Sequence, residues 1–135
     1  MIHYRTGNAL DLDVVIELYR ASTLGERRPL DDRERMATMV RNANIVVTAW
    51  DGDLLVGIAR SFSDFGYATY LSDLAVRQSH QRTGIGKELM RRTQQAAPQG
   101  ILILLSAPAA VDYYPHVGFT KHPSAWYLKP GESVR

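Results

Sequence analysis

Gly84 and Gly86 stand where an apolar strand gives way to a helix. In Tyr70–Leu89 (YLSDLAVRQSHQRTGIGKEL) the run Leu74-Ala75-Val76 ends, a polar turn follows, and the two glycines open a helical pattern. Glycines at such a junction let backbone N–H groups approach a ligand, while the helix N-terminus adds partial positive charge. The combination suits an anion, phosphate above all. Arg77, His80, Arg82, Lys87, Arg91 and Arg92 crowd the same turn, and a local basic cluster suits a polyanionic small ligand. A solvated helix face accounts for Arg91 and Arg92 equally well. The second group with chemistry to offer is the Tyr114 hydroxyl, in the segment Tyr114-Pro-His-Val-Gly118-Phe119.

The rest of the composition excludes more than it adds. The 135 residues fit one domain, 1–135, with a single core. Apolar content of 45% and charged content of 22% are ordinary for a soluble globular protein. A net charge of +2 is too small to imply nucleic acid or an anionic membrane as partner. The absence of cysteine removes disulfides, thiolate nucleophiles and sulfur-ligated metals. His3, His80, His116 and His122 show no ligand spacing, so no metal is expected. Met1–Leu10 carries Tyr4, Arg5 and Asn8 rather than a signal peptide's apolar run, and no segment approaches a membrane span. A cytoplasmic protein is expected.

The elements that must position the turn follow from periodicity. Met1–Thr6 reads as a first strand, and Leu12, Val15, Ile16 and Tyr19 as one face of a helix capped by Asn8 or Asp11. After a loop at Gly25–Leu30, Asp31 or Asp32 caps a second helix that turns Met36, Met39 and Val40 inward. Ile45–Trp50 and Leu54–Phe62 form a hairpin about Asp51-Gly52. Tyr67–Val76 is a strand expected to be buried on both faces near its end. The helix from Gly84 buries Ile85, Leu89, Met90, Thr93 and Ala97, and Pro98 and Gly100 stop it. Ile101–Leu105 reads as a central parallel strand, completing a right-handed βαβ unit. Pro108 opens a short helix over Ala109–Tyr114. Gly118-Phe119 begins a last strand, with another expected over Ser124–Leu128. Little chain follows to cover these strands, so their apolar edge is expected to pair with a second copy as a homodimer.

Three glycine motifs compete for the turn. A Walker loop needs glycine where Gln81 stands and Ser or Thr where Glu88 stands. A dinucleotide fingerprint needs a third glycine at Leu89. What remains is Gln81-Arg82-Thr83-Gly84-Ile85-Gly86, a Gln/Arg-x-x-Gly-x-Gly/Ala pattern directly after Leu74-Ala75-Val76. It resembles the acetyl-coenzyme A loop of the GNAT superfamily of N-acetyltransferases. The Tyr114 to Phe119 segment and the order of elements resemble that family as well, across nearly the whole chain. The resemblance implies an α/β (mixed α+β) fold in the order β-α-α-β-β-β-α-β-α-β and acetyl-CoA as acetyl donor. It implies that Leu74, Ala75 and Val76 meet the pantetheine arm in the splay between Tyr67–Val76 and Ile101–Leu105. It implies that Gln81, Arg82, Thr83, Gly84, Ile85, Gly86 and Lys87 hold the pyrophosphate and that Ser106 touches the cofactor arm, although Ser106 reads equally well as a helix cap.

By the same resemblance, the N–H near Val76 stabilises the oxyanion and Tyr114 is the general acid. Pro115 departs from the family pattern and biases Tyr114 away from helical geometry. Tyr70 and Ser72 occupy positions where relatives often carry a base, and neither is one. Asp73 is the nearest carboxylate but points to the opposite face from Ser72 and Leu74. Trp50, Trp126 and Tyr127 read as core or sheet-edge aromatics, with Trp126 and Phe65 also candidates for an acceptor pocket. The loop Glu26-Arg27-Arg28-Pro29 lies where the family builds acceptor specificity, and its double arginine hints at a carboxylate or phosphate on the acceptor; an exposed solvated loop is the plainer reading. The expected partner is a small-molecule or peptide primary amine. Two other readings compete: a non-catalytic acyl-CoA-binding module, and a small basic nucleic-acid binder using Arg82–Arg92, against which the modest net charge speaks.

Overall fold

The computed structural model describes the whole chain, Met1–Arg135, and the chain forms two compact units, Met1–Leu105 and Ser106–Arg135. The first is built on five strands: β1 (Ile2–Thr6), β2 (Ile45–Asp51), β3 (Leu54–Ser63), β4 (Ala68–Val76) and β5 (Ile101–Leu104). They lie in sequence order across the sheet, antiparallel except for the parallel β4–β5 pair. Helices α1 (Leu12–Ala21) and α2 (Arg33–Asn42) run between β1 and β2, and α3 (Ile85–Ala96) between β4 and β5. This is the mixed α/β architecture expected. No helix is long and apolar enough to cross a membrane.

Caps set where the helices begin. Asp11 accepts from Asp13 N–H at 2.9 Å to open α1, and Asp32 accepts from Arg35 N–H at 3.1 Å to open α2. Asn8, the other cap candidate, works at the far end of α2, donating from Nδ2 to Arg41 O at 2.9 Å and Ala43 O at 3.0 Å. One sheet face buries Val46, Ile58 and Ala75 against Val15, Ile16, Leu18, Tyr19, Met36 and Val40 of α1 and α2. On α3, Ile85, Leu89, Met90 and Thr93 are buried, as their spacing predicts. Gly57 fixes that helix's distance from the sheet. A Cβ there would stand 3.0 Å from Leu89 Cδ1 and 3.1 Å from Ile85 Cγ2.

Four expectations need correction. The hairpin loop is Gly52-Asp53 rather than Asp-Gly, because Asp51 pairs with Leu54; Gly52 takes φ +60° at the first loop position. β4 is not buried on both faces: Thr69, Leu71, Asp73 and Ala75 are buried while Leu74 and Val76 are half-exposed. The cause is that β5 pairs only with Ala68–Leu71, leaving β4 without a neighbour on that side from Ser72 onward. β5 is accordingly the edge of this sheet, and Ile101 and Ile103 are exposed. The strands expected at Gly118-Phe119 and Ser124–Leu128 are not formed, so the order of elements follows the expected one as far as the last helix. The expectation of a homodimer rests on the edge of those strands; the exposed apolar edge of this sheet is that of β5 instead.

The second unit holds a 3-10 turn, Pro108–Ala110, and α4 (Tyr113–His116). Gly118, at φ +98°, turns the chain back so that Phe119 N–H donates to Tyr114 O at 3.1 Å. Those groups close the helix instead of starting a ladder, and Pro123 has no N–H to lend one. Pro115 sits inside α4, where first-turn N–H groups have no intrahelical acceptor to lose. Tyr114 is therefore helical, against the bias expected from the proline.

Candidate functional site

The glycine turn is held in shape by short bonds on both sides. Arg77 N–H donates to Val56 O at 2.8 Å, closing the β3–β4 ladder. Gln81 Nε2 then reaches back to Val76 O at 2.9 Å, and Thr83 Oγ1 donates to His80 O at 2.6 Å. Arg82 (φ +63°) and Gly84 (φ +89°) are both left-handed. For an arginine that conformation costs on the order of 1–3 kcal/mol, a strain that concentrates at ligand sites. Left-handed residues within a turn also aim successive N–H groups into one concavity, an anion nest. The N–H groups of Ile85, Gly86 and Lys87 precede the first bond into α3, which Glu88 N–H makes to Gly84 O at 3.1 Å.

The two glycines are needed for different reasons. Gly84 is required by its φ; around it a Cβ would meet nothing. Gly86 is helical, and a Cβ there would make only ordinary contacts, 3.8 Å to Val76 Cγ2 and 4.0 Å to Leu74 Cδ2. Nothing inside the chain demands glycine at this position, although glycine in a helix costs up to about 1 kcal/mol against alanine. The room it leaves beside unengaged amides fits a diphosphate.

The basic cluster is smaller than its sequence suggests. Arg77 forks onto Glu17 at 2.8 and 2.6 Å and onto Leu55 O. His80 Nε2 lies 2.9 Å from Asp51 Oδ2. Arg91 and Arg92 both hold Glu88, whose carboxyl they pull down to about 2. Arg82 and Lys87 are the cations of this turn that no carboxylate neutralises, and both are exposed.

Beside the turn lies the free edge of β4. Since Arg77 N–H points to β3, strand alternation sends the N–H groups of Leu74 and Val76 the other way, where β5 no longer pairs. Leu74, Val76 and Gln81 to Lys87 are thus brought together, with Ala75 turned into the α1/α2 core.

Asp73 is a structural anion, not a base. Its side chain is inaccessible, with Oδ2 accepting from Arg60 Nε and the Tyr19 hydroxyl at 2.6 Å each and Oδ1 from Arg28 Nε at 2.7 Å. Burial alone would raise its pKa, but Arg60's hydrogen bond and charge, then Arg28 and Tyr19, hold it below the usual carboxylate range. Arg28, read from sequence as part of a solvated loop, is instead drawn in: its Nη2 also donates to Ser72 O at 2.8 Å. Sequence reasoning missed Arg60, which is buried between the apolar Ile58 and Phe62 on one strand face and gives Ser72 Oγ a bond at 3.0 Å. A charge at an inward position of an apolar strand was the available signal.

In the second unit Tyr114 packs edge-on against Tyr113 and Phe119, with ring centroids 5.4 and 5.5 Å away. Burial, then Tyr113, raises its pKa above the ordinary tyrosine value. Ser106 makes no capping bond; Ala107 holds the N-cap position of the 3-10 turn. Trp126 and Tyr127 are exposed rather than core or sheet-edge residues, whereas Trp50 is half-buried and donates its indole N–H to Thr48 Oγ1 at 2.9 Å.

Comparison with known proteins bears on the whole arrangement. An uncharacterized N-acetyltransferase, ycf52, of Pyropia yezoensis is 26% identical over 113 residues, which cover 75% of this chain and 63% of that protein, less than two thirds of its length. The GNAT family protein SP0256 of Streptococcus pneumoniae TIGR4 shares the fold at a TM-score of 0.78 and 24% identity, over 96% of this chain and 99% of that one. The aminoglycoside N-acetyltransferase AAC(6')-Iy, solved in complex with CoA, does so at 0.74 and 16% identity, over 96% and 95%. The family model of the acetyltransferase (GNAT) domain matches residues 24–129, taking in the glycine turn and the Tyr114 segment alike, and the chain belongs to that family.

Proposed function

We propose that the chain transfers the acetyl group of acetyl-CoA directly to a primary amine, on a small molecule or a peptide, within a ternary complex. The observation that carries this reading is Gly86, a helical glycine with no steric need inside the chain, next to amides that no other group engages. Gln81, Arg82, Thr83, Gly84, Ile85, Gly86 and Lys87 hold the diphosphate, the amides supplying direction and the free cations charge. Leu74, Ala75 and Val76 lend their strand edge to the pantetheine arm, and Ser106 touches that arm. The CoA complex of a protein with the same fold supports the donor, and its aminoglycoside acceptor supports a small-molecule amine.

In the transfer, the amine lone pair forms the new C–N bond while a free N–H of the β4 edge near Val76, that of Leu74, stabilises the charge developing on the carbonyl oxygen. The C–S electron pair leaves on sulfur, which takes the proton of the Tyr114 hydroxyl; the proton lost from nitrogen returns to Tyr114 through solvent. A tyrosine raised above its ordinary pKa stays protonated at neutral pH, as a proton donor must. Asp73 is sealed by two arginines, so the acceptor arrives as the neutral amine.

Calorimetry with acetyl-CoA tests the first half of this reading, and the absence of binding to the folded chain would overturn it. Tyr114→Phe tests the second. Turnover is expected to fall by about 10²–10⁴-fold with coenzyme affinity unchanged.

A further inference from the structure

Phe62, Tyr70 and Ile103 form a row across three neighbouring strands, Phe62 paired with Tyr70 and Tyr70 with Ile103. Cross-strand partners share a face, and these three are 37%, 38% and 45% exposed. The face is that of α1 and α2. Arg60, two residues before Phe62, donates to Met39 O of α2 at 3.0 Å, and its guanidinium lies 5.3 Å from the Phe62 ring.

At the end of this row the charges do not balance. Arg28 and Arg60 share one carboxylate, Asp73, and the remaining partners, the Tyr19 hydroxyl, Ser72 and main-chain carbonyls, are neutral. Burial, then Asp73, keeps Tyr19 protonated. The hydrogen-bonded group therefore carries one surplus positive charge. Arg28 is its way out to solvent, with a side chain 21% exposed. Its Nε, Nη1 and Nη2 each make one bond, to Asp73, Arg27 O and Ser72 O, leaving two of five N–H groups to spare. Arg27 beside it is exposed and unpaired.

Ser72 joins this charge to the reaction site. An arm laid on the β4 edge from a diphosphate beyond Val76 runs back through Leu74, a distance of ~13 Å over four residues. At Leu71 it is stopped, because β5 closes the edge there. The reactive end then lies by Ser72, which both arginines touch.

We propose that the acceptor is an apolar amino acid, aromatic ones foremost, acetylated on its α-amine. Its carboxylate takes the spare N–H groups of Arg28, and its side chain lies on Phe62, Tyr70 and Ile103. The inference rests on the coenzyme reading above, and the bonds made and broken are those already given. The surplus positive charge favours the neutral amine over its ammonium form, as attack requires, and works against polycationic acceptors.

The full chain, given acetyl-CoA with L-phenylalanine, phenethylamine or kanamycin, tests this. A thiol reagent reports the CoA released without background, since the protein has no cysteine. Phenylalanine is expected to exceed phenethylamine, which has the same body without the carboxylate, by at least about tenfold in kcat/KM, with kanamycin last. Arg28→Met should erase the gap between the first two, and Arg28→Lys should restore part of it, which a merely misfolded variant would not show. Phe62→Ala should raise KM for both. Coenzyme binding by calorimetry with phenylalanine not preferred overturns this inference alone; no coenzyme binding overturns it together with the reading beneath it.

Discussion

Asp73 carries its charge where no water reaches, and the two arginines and one tyrosine around it are the reason it can. Removing the charge leaves Arg60, itself 4% exposed, without its counterion. Asp73→Asn is expected to cost about 3–5 kcal/mol in urea denaturation. The sign with pH follows from the depressed folded pKa. The stabilisation is complete above the unfolded carboxylate value of ~3.9 and is lost as pH falls through the lower folded value. Melting temperatures followed downward from neutral pH should therefore drop below pH ~4, less steeply in Asp73→Asn. They should still drop there, because Glu17, Asp51, Asp64 and Glu88 are depressed too. Gly86→Ala should act in the opposite sense on folding and binding. The added methyl makes ordinary contacts and improves helix propensity, so thermal stability is expected to rise by up to about 1 kcal/mol, while calorimetry reports weaker acetyl-CoA binding.

Among the elements, α3 matters most, since its first turn is the anion site and its seat on β3 is set by Gly57. Gly57→Val should push Leu89 and Ile85 outward, at about 1–3 kcal/mol by denaturation, and loosen coenzyme binding because the helix start moves with them. This helix was the most legible part of the chain. Its apolar face repeats at helical spacing and its glycines mark the start, both local signals. The hairpin was nearly as clear, displaced by one residue because Asp51 prefers the ladder. The Arg28–Arg60–Asp73 group was not legible, because strand register and an extra residue in β4 bring these side chains together, and neither is written locally. The last strands failed for the converse reason: Ser124–Leu128 has strand composition, yet composition supplies no partner ladder. Of the site, the turn residues could be read from glycine spacing, whereas the partners that occupy Arg77, Arg91 and Arg92 could not.

At the scale of the whole molecule, protection should be graded across the sheet. β3 is flanked on both sides and buried from Leu55 to Ser61. Hydrogen exchange is expected to be slowest in β2, β3 and the β3-paired part of β4, faster in the edge strands β1 and β5, and fastest after His116, where no element remains and the side chains are largely exposed. Equal protection along the chain would refute this gradient. The extra residue in β4 governs more than local geometry. Arg60 faces Asp73 but Ser61 faces Leu71, so Ser72 is skipped in the pairing. Because of that skip, Asp73 and Ala75 turn toward one layer of helices while Leu71 and Thr69 turn toward the other. Were Ser72 instead to take Leu71's place opposite Ser61, the ladder would be unbroken and the strand upstream of it inverted: Leu71 and Thr69 would change sides, and Tyr70 would be driven into the interior.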